Sequence, residues 1–166
     1  MSLRDAGNAS LAFFYFDFRE NKKQDLRNFV TSLLVQLSAY SSSCCEIISR
    51  LHSTHGKGTQ QPSNVALMNC LRQMLLAAAQ PIYIIVDALD ECPCYSGTPT
   101  PRDAVLNLLE GLVGLDLPNL HICITSRLET DIKDILGSLA CTVSLHDESG
   151  QISNIRRIMR RLLERN

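Results

Sequence analysis

The sequence predicts an α/β protein, with helices on both faces of a parallel sheet in a three-layer arrangement. Three observations predict it. Short apolar runs alternate along the chain with longer segments whose apolar residues recur every three or four positions. The runs are apolar at successive positions as well as alternate ones, which marks strands covered on both sides. Two of the runs end in polar and charged residues, where open α/β sheets keep their chemistry.

The first run, LAFFYFDF, makes Leu11–Phe18 a strand that turns polar at Asp17. After the turn RENKKQ, Leu26, Phe29, Val30, Leu33, Leu34 and Leu37 share one helical face. Ile47, Ile48 and Leu51 continue the pattern in a shorter helix, and HSTHGKGTQQ is a loop by composition. Pro62 opens a third helix, suited to a first turn because it has no N–H to lose there; Val65, Leu67, Met68, Leu71, Met74 and Leu75 form its apolar side. Ile82–Val86 is a buried strand that runs into Asp87, with Asp90 and Glu91 just beyond. CPCYSGTPTP is a loop, and Ala104, Val105, Leu108, Leu109, Leu112 and Val113 mark a fourth helix. Leu120–Thr125 is the next strand, continued by Ser126 and Arg127. Thr130 or Asp131 starts a helix with Ile132, Ile135, Leu136 and Leu139 inward, and Cys141–Leu145 is a last short strand. Strand-helix alternation of this kind implies parallel strands joined by right-handed crossovers.

Residues 1–148 form one domain on this reading, and 149–166 begin a helical region. In that final segment Ile152, Ile155, Ile158, Met159, Leu162 and Leu163 form a stripe, with Arg156, Arg157, Arg160, Arg161 and Arg165 largely elsewhere. Such a basic amphipathic helix can bind an acidic membrane or a calmodulin-like partner, but packing on a following domain is the preferred reading.

The totals narrow the function classes. The 166 residues are 45% hydrophobic and 20% charged, enough to bury a core. A net charge of −1 gives no field that favours nucleic acid. No apolar run approaches the about 20 residues of a membrane span. Seven cysteines, an odd number placed inside elements or side by side, suit a reduced, cytoplasmic protein better than a disulfide framework. Cys92-Pro93-Cys94 lacks the second pair or nearby His that would complete a zinc site.

The two loaded strand ends carry the chemistry. A carboxylate at the end of a central strand holds Mg²⁺, usually through water, while a second acid orients or deprotonates an attacking water. An arginine on the neighbouring strand end stabilises a terminal phosphate. Either strand end alone is weak evidence, since strands often stop at an Asp and turns often start with polar residues. Together, in this order and separated by one helix, they are much more specific.

At these residues the chain resembles the NACHT class of STAND nucleoside triphosphatases, which are built on a P-loop NTPase-like sheet. IYIIVDALDEC is similar to its Walker B segment, and LHICITSR to its sensor 1 strand. LAFFYFDF with QDLRNFVTSLLVQL, and QQPSNVALMNCLRQML, resemble flanking elements of the fungal, nephrocystin-3-like branch; the likeness spans Ser10 to Leu145. The resemblance implies that Asp87 is the Mg²⁺-side carboxylate, that Asp90 and Glu91 are the catalytic acids, and that Thr125, Ser126 and Arg127 lie at the nucleotide, with Arg127 near its γ-phosphate. It implies ATP or GTP with Mg²⁺ as ligands of a complete domain. It also implies a cytoplasmic signalling switch associated with ankyrin or WD40 repeats, with other NACHT proteins or a second copy as partners.

One part of the pattern is missing. Walker A needs G-x-x-x-x-G-K-[ST] between a strand and a helix. The one Gly-Lys pair, in Gly56-Lys57-Gly58-Thr59, lacks the first glycine, follows no strand and has Gly after the Lys. The ten residues before Leu11 carry neither the motif nor room for its strand. A micromolar nucleotide is held by about 8 kcal/mol. Losing three charge-assisted hydrogen bonds of roughly 1.5–3 kcal/mol each removes about half or more of it. The expected fold is therefore an incomplete sheet that contributes Walker B and sensor 1 without their partner loop and is not hydrolytic alone.

Two other functions compete: a degenerate interaction module that needs no nucleotide, and a metal-dependent phosphatase or nuclease. The second finds no His-rich motif or further carboxylate motif at other strand ends. In the family's strand order, 5-1-4-3-2, loss of strand 1 exposes an edge of Leu120–Thr125 unless Cys141–Leu145 slides across to close it. Closure predicts protected amides along Leu120–Thr125, and hydrogen exchange that finds them unprotected would contradict it.

Overall fold

In the computed structural model, which describes residues 9–95 and 97–139, the chain forms an α/β sheet with surrounding helices. Its elements are β1 (Ser10–Tyr15), α1 (Leu26–Ser38), α2 (Ser42–Thr54), α3 (Asn64–Ala77), β2 (Ile82–Asp87), α4 (Pro101–Val113), β3 (Leu120–Ile124) and α5 (Thr130–Leu136), with short 3₁₀ turns between some of them. The chain divides into two compact units, Met1–Glu129 and Thr130–Asn166. The first holds the sheet; α5 belongs to the second, with Ile132 and Leu136 buried. Cys141–Leu145 and the basic amphipathic stretch lie outside the described residues.

The three strands are all parallel, in the order β1-β2-β3. Register runs level from one strand to the next: Ile84 lies beside Ala12 and Ile122, and Asp87 beside Tyr15. Each helix follows from its sequence. α1 starts at an Asp25 cap whose carboxylate accepts the Asn28 N–H at 2.8 Å, and its face Leu26, Phe29, Val30, Leu33, Leu34 and Leu37 is buried. α3 begins two residues beyond Pro62, because Ser63 caps it by accepting the Ala66 N–H at 3.2 Å. α4, by contrast, begins earlier than its apolar pattern: Thr100 caps it in a reciprocal capping box with Asp103, and Pro101 opens the first turn. The Thr100 N–H, with its hydroxyl next, holds the Asp103 carboxyl below the usual range.

Strand β1 is shorter than the apolar run. Phe16 still donates its N–H to the Asp87 carbonyl at 3.0 Å, but Asp17 turns to accept from the Arg19 N–H at 2.9 Å and from its guanidinium. Those bonds, together with the guanidinium charge, keep the Asp17 carboxyl below its ordinary range. They also end the strand before Phe18, which is 63% exposed.

The core lies between the sheet and helices α1, α3 and α4. Phe29 of α1 meets the rings of Phe14 and Phe16 at 5.3 and 5.8 Å, while Leu106 and Leu109 of α4 are fully buried. Coverage on both faces is met on one face among the described residues. Along β2 burial alternates, with Ile82, Ile84 and Val86 inside and Tyr83 and Ile85 exposed at 40% and 38%. Phe13 and Tyr15 continue the exposed face, at 51% and 45%. The reason is topological. β1, β2 and β3 step in one direction, and right-handed crossovers that step one way return on the same side of the sheet.

Two substitutions on α1 should separate the faces of that helix. Phe29→Ala removes a ring from the core and is expected to cost about 3–5 kcal/mol in urea unfolding. Val35→Ala, at a site 57% exposed, should stay within about 0.5 kcal/mol.

Candidate functional site

Parallel strands in level register finish together, so the loops after β1, β2 and β3 meet at one edge of the sheet. Strand β2 delivers Asp87 there as its last residue, exposed to solvent. Thr125 follows β3 directly and is stitched to the β2 end at four points. Its N–H donates to the Val86 carbonyl at 2.9 Å and its carbonyl accepts the Leu89 N–H at 3.0 Å. Its hydroxyl accepts the Ala88 N–H at 3.0 Å and donates to the Asp87 carboxylate. These bonds hold Ala88 at φ +53°, a left-handed conformation that costs a residue with a Cβ about 1–2 kcal/mol. Such strain persists where the surroundings over-determine it, and it collects at functional sites.

Beyond Ala88 the chain makes a 3₁₀ turn, Leu89–Glu91, anchored by the fully buried Leu89 side chain. Its two acids diverge. Asp90 accepts the Arg127 N–H at 2.9 Å and lies 3.4 Å from the Arg127 guanidinium. The Asp90 side chain is 11% exposed against 83% for Arg127, so the acid is the fixed partner and the arginine the accessible one. Glu91 reaches the opposite way and accepts the Phe18 N–H, from the loop after β1, at 3.3 Å. The three acids thus each tie β2 to another strand end: Asp87 to Thr125, Asp90 to Arg127 and Glu91 to Phe18. The Ser126 hydroxyl donates to the Arg127 carbonyl at 2.8 Å. An open cleft of about 230 Å³ lies against these loops, lined by Phe18, Glu91, Tyr95, Arg127 and Glu129 among others.

Sequence patterns did not single out Arg102, the buried charged side chain of this region. It sits in the first turn of α4, and its guanidinium donates to the Cys92 carbonyl at 2.9 Å and to the Asp90 carbonyl. Its backbone N–H adds a bond to the Pro93 carbonyl at 3.0 Å. Arg102 therefore clamps the backbone that carries Asp90 and Glu91. A cation in a helix's first turn opposes the helix dipole, and that was the available signal.

Neighbouring Cys92 points into the protein interior. Its thiol is fully buried and donates to the Gln24 carbonyl at 3.6 Å, and burial pushes it up from 9.0 to about 12. Among the described residues no cluster of three or more His, Cys, Asp or Glu is arranged to hold a metal. Asp87 offers one exposed carboxylate beside a hydroxyl. That fits a Mg²⁺ ion that keeps its waters and takes further oxygens from phosphate, and it does not fit a metal caged by protein alone. The Gly56–Gly58 stretch forms a 3₁₀ turn between α2 and α3, away from any strand-to-helix junction of the kind a phosphate loop requires.

The fold and these strand ends define an α/β protein whose central parallel strand brings acids to the carboxyl edge of the sheet. The profile of the family described as Nephrocystin 3, N-terminal matches residues 2–127, more than half of the 166-residue chain, and the chain belongs to that family. The curated proteins and the solved structures give no match. No helix among the described residues is long and apolar enough to cross a membrane.

The thiols give a direct check on the loop after β2. At pH 8 a thiol reagent should modify exposed Cys94 in the folded protein and spare Cys92, with both reacting in urea, as read by peptide mass mapping. Folding retains the Cys92 proton, so this group's contribution to stability is whole below pH 9.0 and declines as pH rises toward about 12. Equal labelling of Cys92 and Cys94 in the folded state would contradict the packing described.

Proposed function

We propose that the chain supplies the Walker B and sensor 1 part of a NACHT-type nucleoside triphosphate site, with Asp87 holding Mg²⁺ through water. The observation that carries this reading is the Thr125–Asp87 link. It places an exposed carboxylate at the end of the central strand, beside a strand end that bears Ser126 and Arg127. Bound there, Mg²⁺ would supply positive charge to offset that of the phosphates, with Asp87 as the residue to hold it.

The protein's own groups have distinct parts in this scheme. Thr125 orients the Asp87 carboxylate through its hydroxyl. Arg127, largely exposed, is the cation available to a terminal phosphate, and Asp90 holds it at 3.4 Å when no anion competes. Of the two acids beyond Asp87, Glu91 is the better candidate to activate water. It is engaged by one 3.3 Å bond, whereas Asp90 is committed to both the N–H and the guanidinium of Arg127. Arg102 keeps both acids in place by holding their backbone.

No Walker A motif accompanies these residues, so binding by this chain is weak. About half of the roughly 8 kcal/mol of a micromolar site remains, which corresponds to a Kd of about 1 mM or weaker. Hydrolysis by the chain alone is not expected. A second reading, an interaction module without nucleotide binding, draws support from the exposed Phe13, Tyr15, Tyr83 and Ile85.

Mn²⁺ standing in for Mg²⁺ distinguishes the two. On adding it with ATP, NMR signals of Asp87, Ala88 and Thr125 should broaden, and Asp87→Asn should weaken the effect about tenfold. Broadening that Asp87→Asn leaves unchanged, or none at millimolar ligand, would favour the interaction module.

A further inference from the structure

Among the described residues no strand pairs with the outer edge of β1, and free edges recruit further strands. Its backbone can be accounted for residue by residue. Ser10 and Phe16 donate their N–H groups inward, to the Pro81 and Asp87 carbonyls, at 2.9 and 3.0 Å. By the two-residue period of a strand, Leu11, Phe13, Tyr15 and Asp17 then present their backbone groups outward. At the carboxyl end, the outward Asp17 N–H is taken by the Lys23 carbonyl at 3.2 Å.

At the middle of the edge stands Gln36 of α1. Its carboxamide oxygen accepts the Phe13 N–H at 3.1 Å, and its NH₂ donates to the Phe13 carbonyl at 2.7 Å. One side chain therefore makes both bonds that a neighbouring strand would make to Phe13. The amide is held ready from its own helix, since the NH₂ also donates to the Ser32 hydroxyl, one turn earlier, at 3.0 Å. A groove of about 360 Å³ lies beside the edge there, lined by Phe14, Thr31, Ser32, Val35 and Gln36 among others.

We propose that Gln36 is a surrogate strand that closes the β1 edge against addition of a second copy of this chain. It works by occupying the central backbone pair, leaving Leu11 and Tyr15 two residues to either side without the continuous ladder that an added strand needs. The exposed aromatic side chains of Phe13 and Tyr15 on the same strand give this closure a purpose, because an apolar, unblocked edge is an association hazard.

The test is residue-resolved amide exchange on dilute and concentrated samples of the wild-type protein, Gln36→Ala and Gln36→Glu. Alanine is a better helix former than glutamine and leaves α1 intact, while glutamate keeps the acceptor and removes the donor. The Phe13 amide should exchange about five-fold faster in Gln36→Ala. Only in the variants should the Leu11 and Tyr15 amides gain protection as concentration rises, which reports copies joining at β1 and not at β3. Unchanged Phe13 exchange would overturn the bond pattern. Leu11 and Tyr15 amides that ignore concentration in Gln36→Ala would overturn the guarding role.

Discussion

The direction of the chain's crossovers is the constraint on which the rest of the structure depends. β1, β2 and β3 follow one another across the sheet in chain order, all parallel. Right-handed connections between strands that step one way must return over the same face. That places the packed core on the Ala12, Phe14, Ile84 and Val86 side and leaves the Phe13, Tyr15, Tyr83 and Ile85 side exposed among the described residues. Parallel strands in level register also finish at one edge, and this is what assembles Asp87, Thr125 and Arg127 from segments some forty residues apart.

The assembled edge is tied together by its own side chains. Asp87 and Asp90 accept from the loop after β3 and Glu91 from the loop after β1, and the buried Arg102 guanidinium secures the turn through two carbonyls. Charge-assisted bonds of this kind contribute roughly 1.5–3 kcal/mol each, so the edge resists rearrangement except where it is exposed. Arg127 is the exposed member. On the proposed nucleotide reading, an anion drawing it away from Asp90 would have to compensate for that lost pairing. The left-handed Ala88 sits at the junction, held by Thr125 on one side and by buried Leu89 on the other.

Much of this was legible in the sequence, for definable reasons. The buried faces of α1 and α3 read directly from three- and four-residue spacing, and Asp87 read from an apolar strand that stops at an acid. The caps of α3 and α4 shifted the helix starts, because Ser63 and Thr100 accept backbone bonds that apolar periodicity does not register. Double-sided apolarity in β1 and β2 suggested full coverage, yet composition shows only that a face is apolar, not what packs on it. The Asp90–Arg127 pair and the Gln36–Phe13 bonds were invisible because they join residues 37 and 23 positions apart whose types are ordinary at a surface.

Hydroxyl-radical footprinting on the folded protein tests the one-sided burial of the described strands most directly, because oxidation of an aromatic ring reports its access to water. Phe13, Tyr15 and Tyr83 should be oxidised readily, while Phe14, Phe16 and Phe29, all at or below 8% exposure, should be spared until the protein unfolds. Tyr83 as well protected as Phe29 would contradict it, since the second face would then be covered and the direction of the crossovers would no longer explain where the core lies.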